Sequence, residues 1–185
     1  VFMPVFGLNN GMVPIVSYNY GAKNKDRIIS TIKISIVYAV GMMLIGLCVL
    51  QIFPEQLLTL FNASNELIII GVPALKTISL SFIFAGFCII LGSVFQSLGN
   101  GILSLMVSVV RQLVVLLPCA YLLSKTGKLN LVWFAFPISD IASVSLSYIA
   151  LIYVYKKEIK PLDDEYETKS LNSKKEVSIN HEANI

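Results

Sequence analysis

Gly11-Met-Val-Pro14-Ile-Val-Ser17-Tyr18-Asn19-Tyr20-Gly21-Ala-Lys23-Asn24-Lys25-Asp26-Arg27 closes an apolar run and opens a basic one. The join predicts a membrane helix meeting water. Gly21 is expected to take the left-handed conformation that terminates a helix, and three cations within residues 23–27 favour the cytoplasmic surface.

The rest of the chain continues the pattern. Of 185 residues, 56% are hydrophobic and 14% charged, and the mean hydropathy is +0.77, which excludes an ordinary soluble domain of this size. Apolar runs at residues 1–20, 34–53, 67–95, 102–123 and 131–155 each reach the roughly 20 residues a bilayer crossing needs. They predict an all-α polytopic membrane bundle of about five transmembrane helices over residues 1–160. Residues 161–185 are polar, mixed in charge and without apolar periodicity, the composition of a disordered tail. The first residue lies inside an apolar run, so the start is expected to be internal to a longer protein or that of a truncated gene.

If every run crosses, alternate loops share a side. Lys23, Lys25, Arg27, Lys33, Lys156, Lys157 and Lys160 then fall on one side, and only Lys125 and Lys128 on the other. The asymmetry places the loop at 21–33 and the C-terminus in the cytoplasm of a multi-pass cell-membrane protein. His181 is the single histidine and lies in the tail, which leaves zinc or histidine-base chemistry without material in the spans. No metal site, cofactor or nucleic-acid partner is expected, and Cys48, Cys88 and Cys119 read as small packing residues.

Three ionisable residues, Lys76, Arg111 and Asp140, lie inside the apolar runs, where a charge is costly and faces a bundle interior or water. At 1.5 Å per residue, Arg111 is about 20 Å from the outer helix end near Ser124 and Asp140 about 15 Å from Asn130; Lys76 is about 18 Å from Ser64. Similar depth allows one polar layer, with outward snorkelling of its long stem the alternative for Lys76. Ser104, Ser108 and Arg111 share a helical face, as do Asp140, Ser143 and Ser147, so an Arg111–Asp140 ion pair is expected, either as a fixed tie or as part of a wet cavity. Pro14, Pro73, Pro118 and Pro137 are expected to bend their helices.

The opening motif, with Phe95-Gln-Ser-Leu-Gly99-Asn100-Gly, Arg111-Gln-Leu-Val-Val-Leu-Leu-Pro118 and Phe136-Pro137-Ile-Ser-Asp140, resembles the C-terminal lobe of multidrug and toxic compound extrusion (MATE) transporters. The resemblance spans residues 1 to about 155. It implies two six-helix lobes around a central cavity, with Na⁺ or H⁺ entry driving export of drugs and organic cations, and an N-terminal lobe outside this sequence. It assigns Gly11, Pro14, Ser17, Tyr18, Asn19 and Gly21 to a helix-end motif, and Arg111 and Asp140 to gating or lobe integrity; Lys76 is a gating candidate by its intramembrane charge alone. Several members of that family carry a coupling carboxylate in the helix corresponding to residues 67–95, where this chain has Lys76 and no acid. A lipid-linked oligosaccharide flippase of the same superfamily and a non-catalytic membrane subunit remain alternatives. An intramembrane enzyme would require a partnered nucleophile and base, for which Lys76 is the only evident base.

Overall fold

A computed structural model describes residues 2–162, and these form helices throughout. α1 (Phe2–Gly21) leads by a three-residue turn into α2 (Lys25–Ile52). The basic stretch is therefore mostly helix rather than loop, because the Asn24 side chain caps α2 by accepting from the Arg27 backbone N–H at 3.2 Å. Gly21 is the last residue of α1, not its left-handed terminator. That role falls to Lys23 at φ 58°: its N–H reaches the Tyr20 carbonyl at 3.1 Å and the Asn24 N–H reaches Asn19 at 2.9 Å, the paired bonds of a Schellman turn. The same pairing recurs where Asn62 (φ 54°) ends α3 (Pro54–Leu60).

The apolar run at 67–95 is broken. α4 (Asn65–Ser79) and α5 (Phe82–Ser97) meet at an angle of 51°. The break lies at Leu80–Ser81, and α4 continues through Pro73. Gln51 of α2 and the hydroxyls beside the break explain its position. Gln51 Nε2 donates to the Lys76 carbonyl at 2.8 Å and to Ser79 Oγ at 3.0 Å, Ser79 Oγ donates to the same carbonyl at 3.0 Å, and Ser81 Oγ donates to Ile78 at 2.8 Å. These bonds satisfy carbonyls that a helix end would otherwise leave orphaned.

A third Schellman turn, with Gly99 at φ 85°, leads into α6 (Gly101–Val109). A π-helical segment, Val110–Leu116, then joins α6 to α7 (Leu117–Ser124). The widened turn ends just before Pro118, whose ring crowds the carbonyl four residues back and which donates no N–H. α8 (Leu129–Val132) precedes α9 (Ala135–Val154), and a π-helical segment, Tyr155–Ile159, extends α9. Pro137 stands in the first turn of α9, where its missing N–H has no intrahelical partner to lose, so it starts a helix rather than bending one.

Among the described residues, α2, the continuous stretch Gly101–Ser124 and the stretch Leu129–Ile159 are each long and apolar enough to cross a membrane, and the bent α4–α5 pair is so as well when taken as one broken span. The expected fifth, α1, has 20 residues but carries Asn9, Asn10 and Asn19, which lower its apolarity. α5 is the centre of the packing: it contacts α1, α2, α6 and α9 and buries Phe82, Ile90, Leu91, Val94 and Phe95. Where it crosses α2, a Cβ on Gly86 would lie 2.9 Å from Met43 Cγ, so the close approach of the two helices depends on that glycine. Leu162 is buried in the same core, two residues beyond the expected bundle boundary. The expected disordered tail, from residue 163 on, lies outside the described residues.

Candidate functional site

The π-helical segment carries Arg111 toward α9, where its Nε lies 2.6 Å from Oδ1 of Asp140. Asp140 is almost fully buried, with a side chain 3% exposed against 30% for Arg111. Neither atom makes an aligned hydrogen bond, so the 2.6 Å contact is a charge contact rather than a directional one. Ser81, at the break between α4 and α5, also faces the carboxylate. Three irregularities in the bundle thus meet at one point: the broken helix, the π segment and the buried acid.

Polar groups continue from the pair along α9. Ser143 and Ser147 are buried, and the Ser147 hydroxyl donates to Cys88 Sγ at 3.8 Å. Gln96 Nε2 of α5 donates to Ser104 Oγ of α6 at 3.0 Å, and within α6 Ser108 Oγ donates to the Ser104 carbonyl at 3.0 Å. Between α1, α5, α6 and α9 lies a cavity of about 430 Å³ whose polar lining includes Asn9, Asn10, Gln96, Ser104, Ser108 and Arg111. The buried Asn9 Oδ1 and Ser143 Oγ have no hydrogen-bond partner in the protein.

Lys76 does not join this layer. It sits in the last turn of α4 with its side chain exposed, and it contributes only its backbone carbonyl to the break. In the helix-end motif, Ser17 Oγ donates to the Ser97 carbonyl at 3.1 Å, and buried Asn19 turns its Nδ2 back to the Ile15 carbonyl at 2.8 Å. Gly11, Pro14 and Tyr18 lie on an exposed face of α1, away from the cavity. Of the three cysteines, Cys88 is buried, Cys119 partly so and Cys48 exposed.

Asn9, Asn10 and Ser81 escaped the sequence reading. The adjacent asparagines in an otherwise apolar helix were the available signal for the first two. Nothing local marks Ser81, because its role follows from a break that Gln51, some 30 positions away, stabilises.

Residues 1–122 match the MatE family model. The multidrug export protein MepA of Staphylococcus haemolyticus is 24% identical over 82% of this chain and 32% of its own length. The probable multidrug resistance protein YoeA of Bacillus subtilis is 27% identical over 85% of the chain and 35% of its own. Among solved structures, the MATE multidrug transporter DinF-BH, determined in complex with a ligand, superposes with a TM-score of 0.76 at 35% identity, covering 83% of this chain and 34% of that one. The chain therefore spans about a third of the length of the curated relatives it matches. With a family model matched across most of its helices, this multi-pass membrane chain belongs to the MatE family, the MATE transporters.

Proposed function

We propose that this chain forms most of the C-terminal lobe of an antiporter that exports drugs and organic cations across the cell membrane, driven by entry of Na⁺ or H⁺. The observation that carries the reading is the cavity of about 430 Å³ beside the Arg111–Asp140 pair. Polar surface within a membrane bundle is costly, and in transporters it lines the pathway. MepA and YoeA, which bear multidrug names, support the substrate class.

In this reading the cavity offers amide and hydroxyl groups that hydrogen-bond an adaptable range of ligands, while its one cation is neutralised by Asp140. A carboxylate to draw a cationic substrate or the coupling ion comes from the parts of the transporter beyond these residues. Arg111 and Asp140 hold α9 against the π segment, so the lobe wall moves as a unit when the two lobes rock. The Gly21 end of α1 and the C-terminus face the cytoplasm.

Dye-loaded vesicles test the proposal. The full-length transporter carrying this sequence is expected to extrude a cationic dye under an imposed Na⁺ or H⁺ gradient, and residues 1–185 alone to extrude none. Gradient-independent leakage from both, or robust extrusion by residues 1–185 alone, would sink the two-lobe reading.

A further inference from the structure

A second concavity, of about 730 Å³, runs between the start of α2 and the end of α9 with its π-helical extension, and it shares no lining residue with the polar cavity. Its cations are Lys25 and Lys33 from α2 and Lys156 and Lys160 from the far side, and no acidic residue among the described residues lines it. Glu158, the one acid in the π-helical extension, is engaged by the Tyr20 hydroxyl instead. Between the lysines the walls are apolar, built on Ile29, Ile36, Tyr148 and Ile152.

The depth of this groove follows from helix length. α2 has 28 residues and is about 42 Å long, roughly 12 Å more than the hydrocarbon core. Its apolar run begins only at Ile34, so Lys25 stands in the headgroup region and Lys33 at the hydrocarbon edge, where its long stem allows the ammonium to reach outward. Below the groove, Val37 (70% exposed) on α2 and Ile149 (64% exposed) on α9 continue as apolar surface. Cations at headgroup level above a greasy track fit an amphiphile with a negative head. A water-soluble anion would leave the isoleucine walls wet, whereas a phospholipid covers both halves.

We infer that the α2–α9 groove is a binding site for an anionic glycerophospholipid of the adjoining leaflet, its phosphate held by Lys33 and Lys160 and its acyl chains laid along Ile36 and Tyr148. Basic pockets between transmembrane helices hold such headgroups by charge. Lipid occupying the groove bridges α2 and α9 across the concavity between them, and so stabilises the packed lobe.

The test is competitive lipid retention on the purified, delipidated protein, read by native mass spectrometry with phosphatidylglycerol and phosphatidylcholine of identical acyl chains. Phosphatidylglycerol should be retained in clear preference, and Lys33→Gln/Lys160→Gln should cut that preference by about five-fold per lysine removed. Lys33→Arg/Lys160→Arg should keep it. Arg27→Gln/Lys157→Gln removes the same charge from the same end outside the groove and should leave it unchanged. All four positions are exposed, so the variants are expected to keep the melting temperature of the delipidated protein. Equal retention of the two lipids would overturn the inference. So would parallel losses in the two Gln pairs, which would mean a diffuse surface field, or displacement of phosphatidylglycerol by millimolar inorganic phosphate, which would mean a plain anion site.

Discussion

Ser17 of α1 donates its hydroxyl to the backbone carbonyl of Ser97, 3.1 Å away and 80 positions along the chain. Ser97 is the last residue of α5, so this carbonyl is one that a helix end leaves without an internal partner. The motif serine is thus a cap for another helix, and it fixes the end of α1 to the end of the central helix of the core. Replacing it is expected to have a modest, specific cost: Ser17→Ala should lower stability by about 0.5–1.5 kcal/mol, and Ser17→Thr should retain most of it. Thermal melts of the purified protein in detergent separate the two variants.

The α2–α5 crossing is more demanding. A Cβ at Gly86 meets Met43 Cγ at 2.9 Å and the Ala39 carbonyl oxygen at 3.4 Å, and Met43 is fully buried. Gly86→Ala is therefore expected to destabilise by about 1–3 kcal/mol through overpacking. Adding Met43→Ala, which alone creates a cavity, should cost less than the sum of the two single changes, because each relieves the other. Additive losses in the same melting assay would place the strain elsewhere.

Orientation is testable by labelling. Seven cations lie at the end of the bundle marked by Lys23 and Lys160, against Lys125 and Lys128 at the other, which predicts that the first end is cytoplasmic. Asp26 and Lys125 are both exposed, so single cysteines there, in a background without Cys48, Cys88 and Cys119, report opposite sides. A membrane-impermeant thiol reagent applied to intact cells should label Lys125→Cys and spare Asp26→Cys. The reverse pattern would invert the topology.

What the sequence made legible was mostly what hydropathy and charge encode: helical class, the polar faces of Arg111 and Asp140, and the basic end of the bundle. The irregular backbone was less visible. Pro73 sits inside a continuous helix while the bend falls at Leu80–Ser81, because the position of a break depends on who satisfies the freed carbonyls, and here Gln51 on another helix does so. Gly21 looked like a terminator because glycine tolerates positive φ, yet the turn places Lys23 there. Asp140 and Arg111 had matching depths by simple rise, but the contact also needs the π segment, whose widened turn has no reliable mark beyond the following Pro118. Lys76 matched the same depth and still fell on the exposed face, since depth alone does not fix the direction a side chain takes around its helix.

A double-mutant cycle on Arg111 and Asp140 in the full-length transporter tests the central claim most directly, namely that this pair ties α9 to the π segment at the wall of the polar cavity. Arg111→Ala strands the buried Asp140 carboxylate and should cost about 3–5 kcal/mol of stability, and Asp140→Ala, which leaves an Arg111 that is 30% exposed, should cost less. The double Ala variant should lose clearly less than the sum, and the swapped Arg111→Asp/Asp140→Arg pair should recover part of the loss. Strictly additive losses, with an Asp140→Ala protein that stays folded and fails only in Na⁺- or H⁺-dependent transport, would contradict the tie and make Asp140 a coupling group instead.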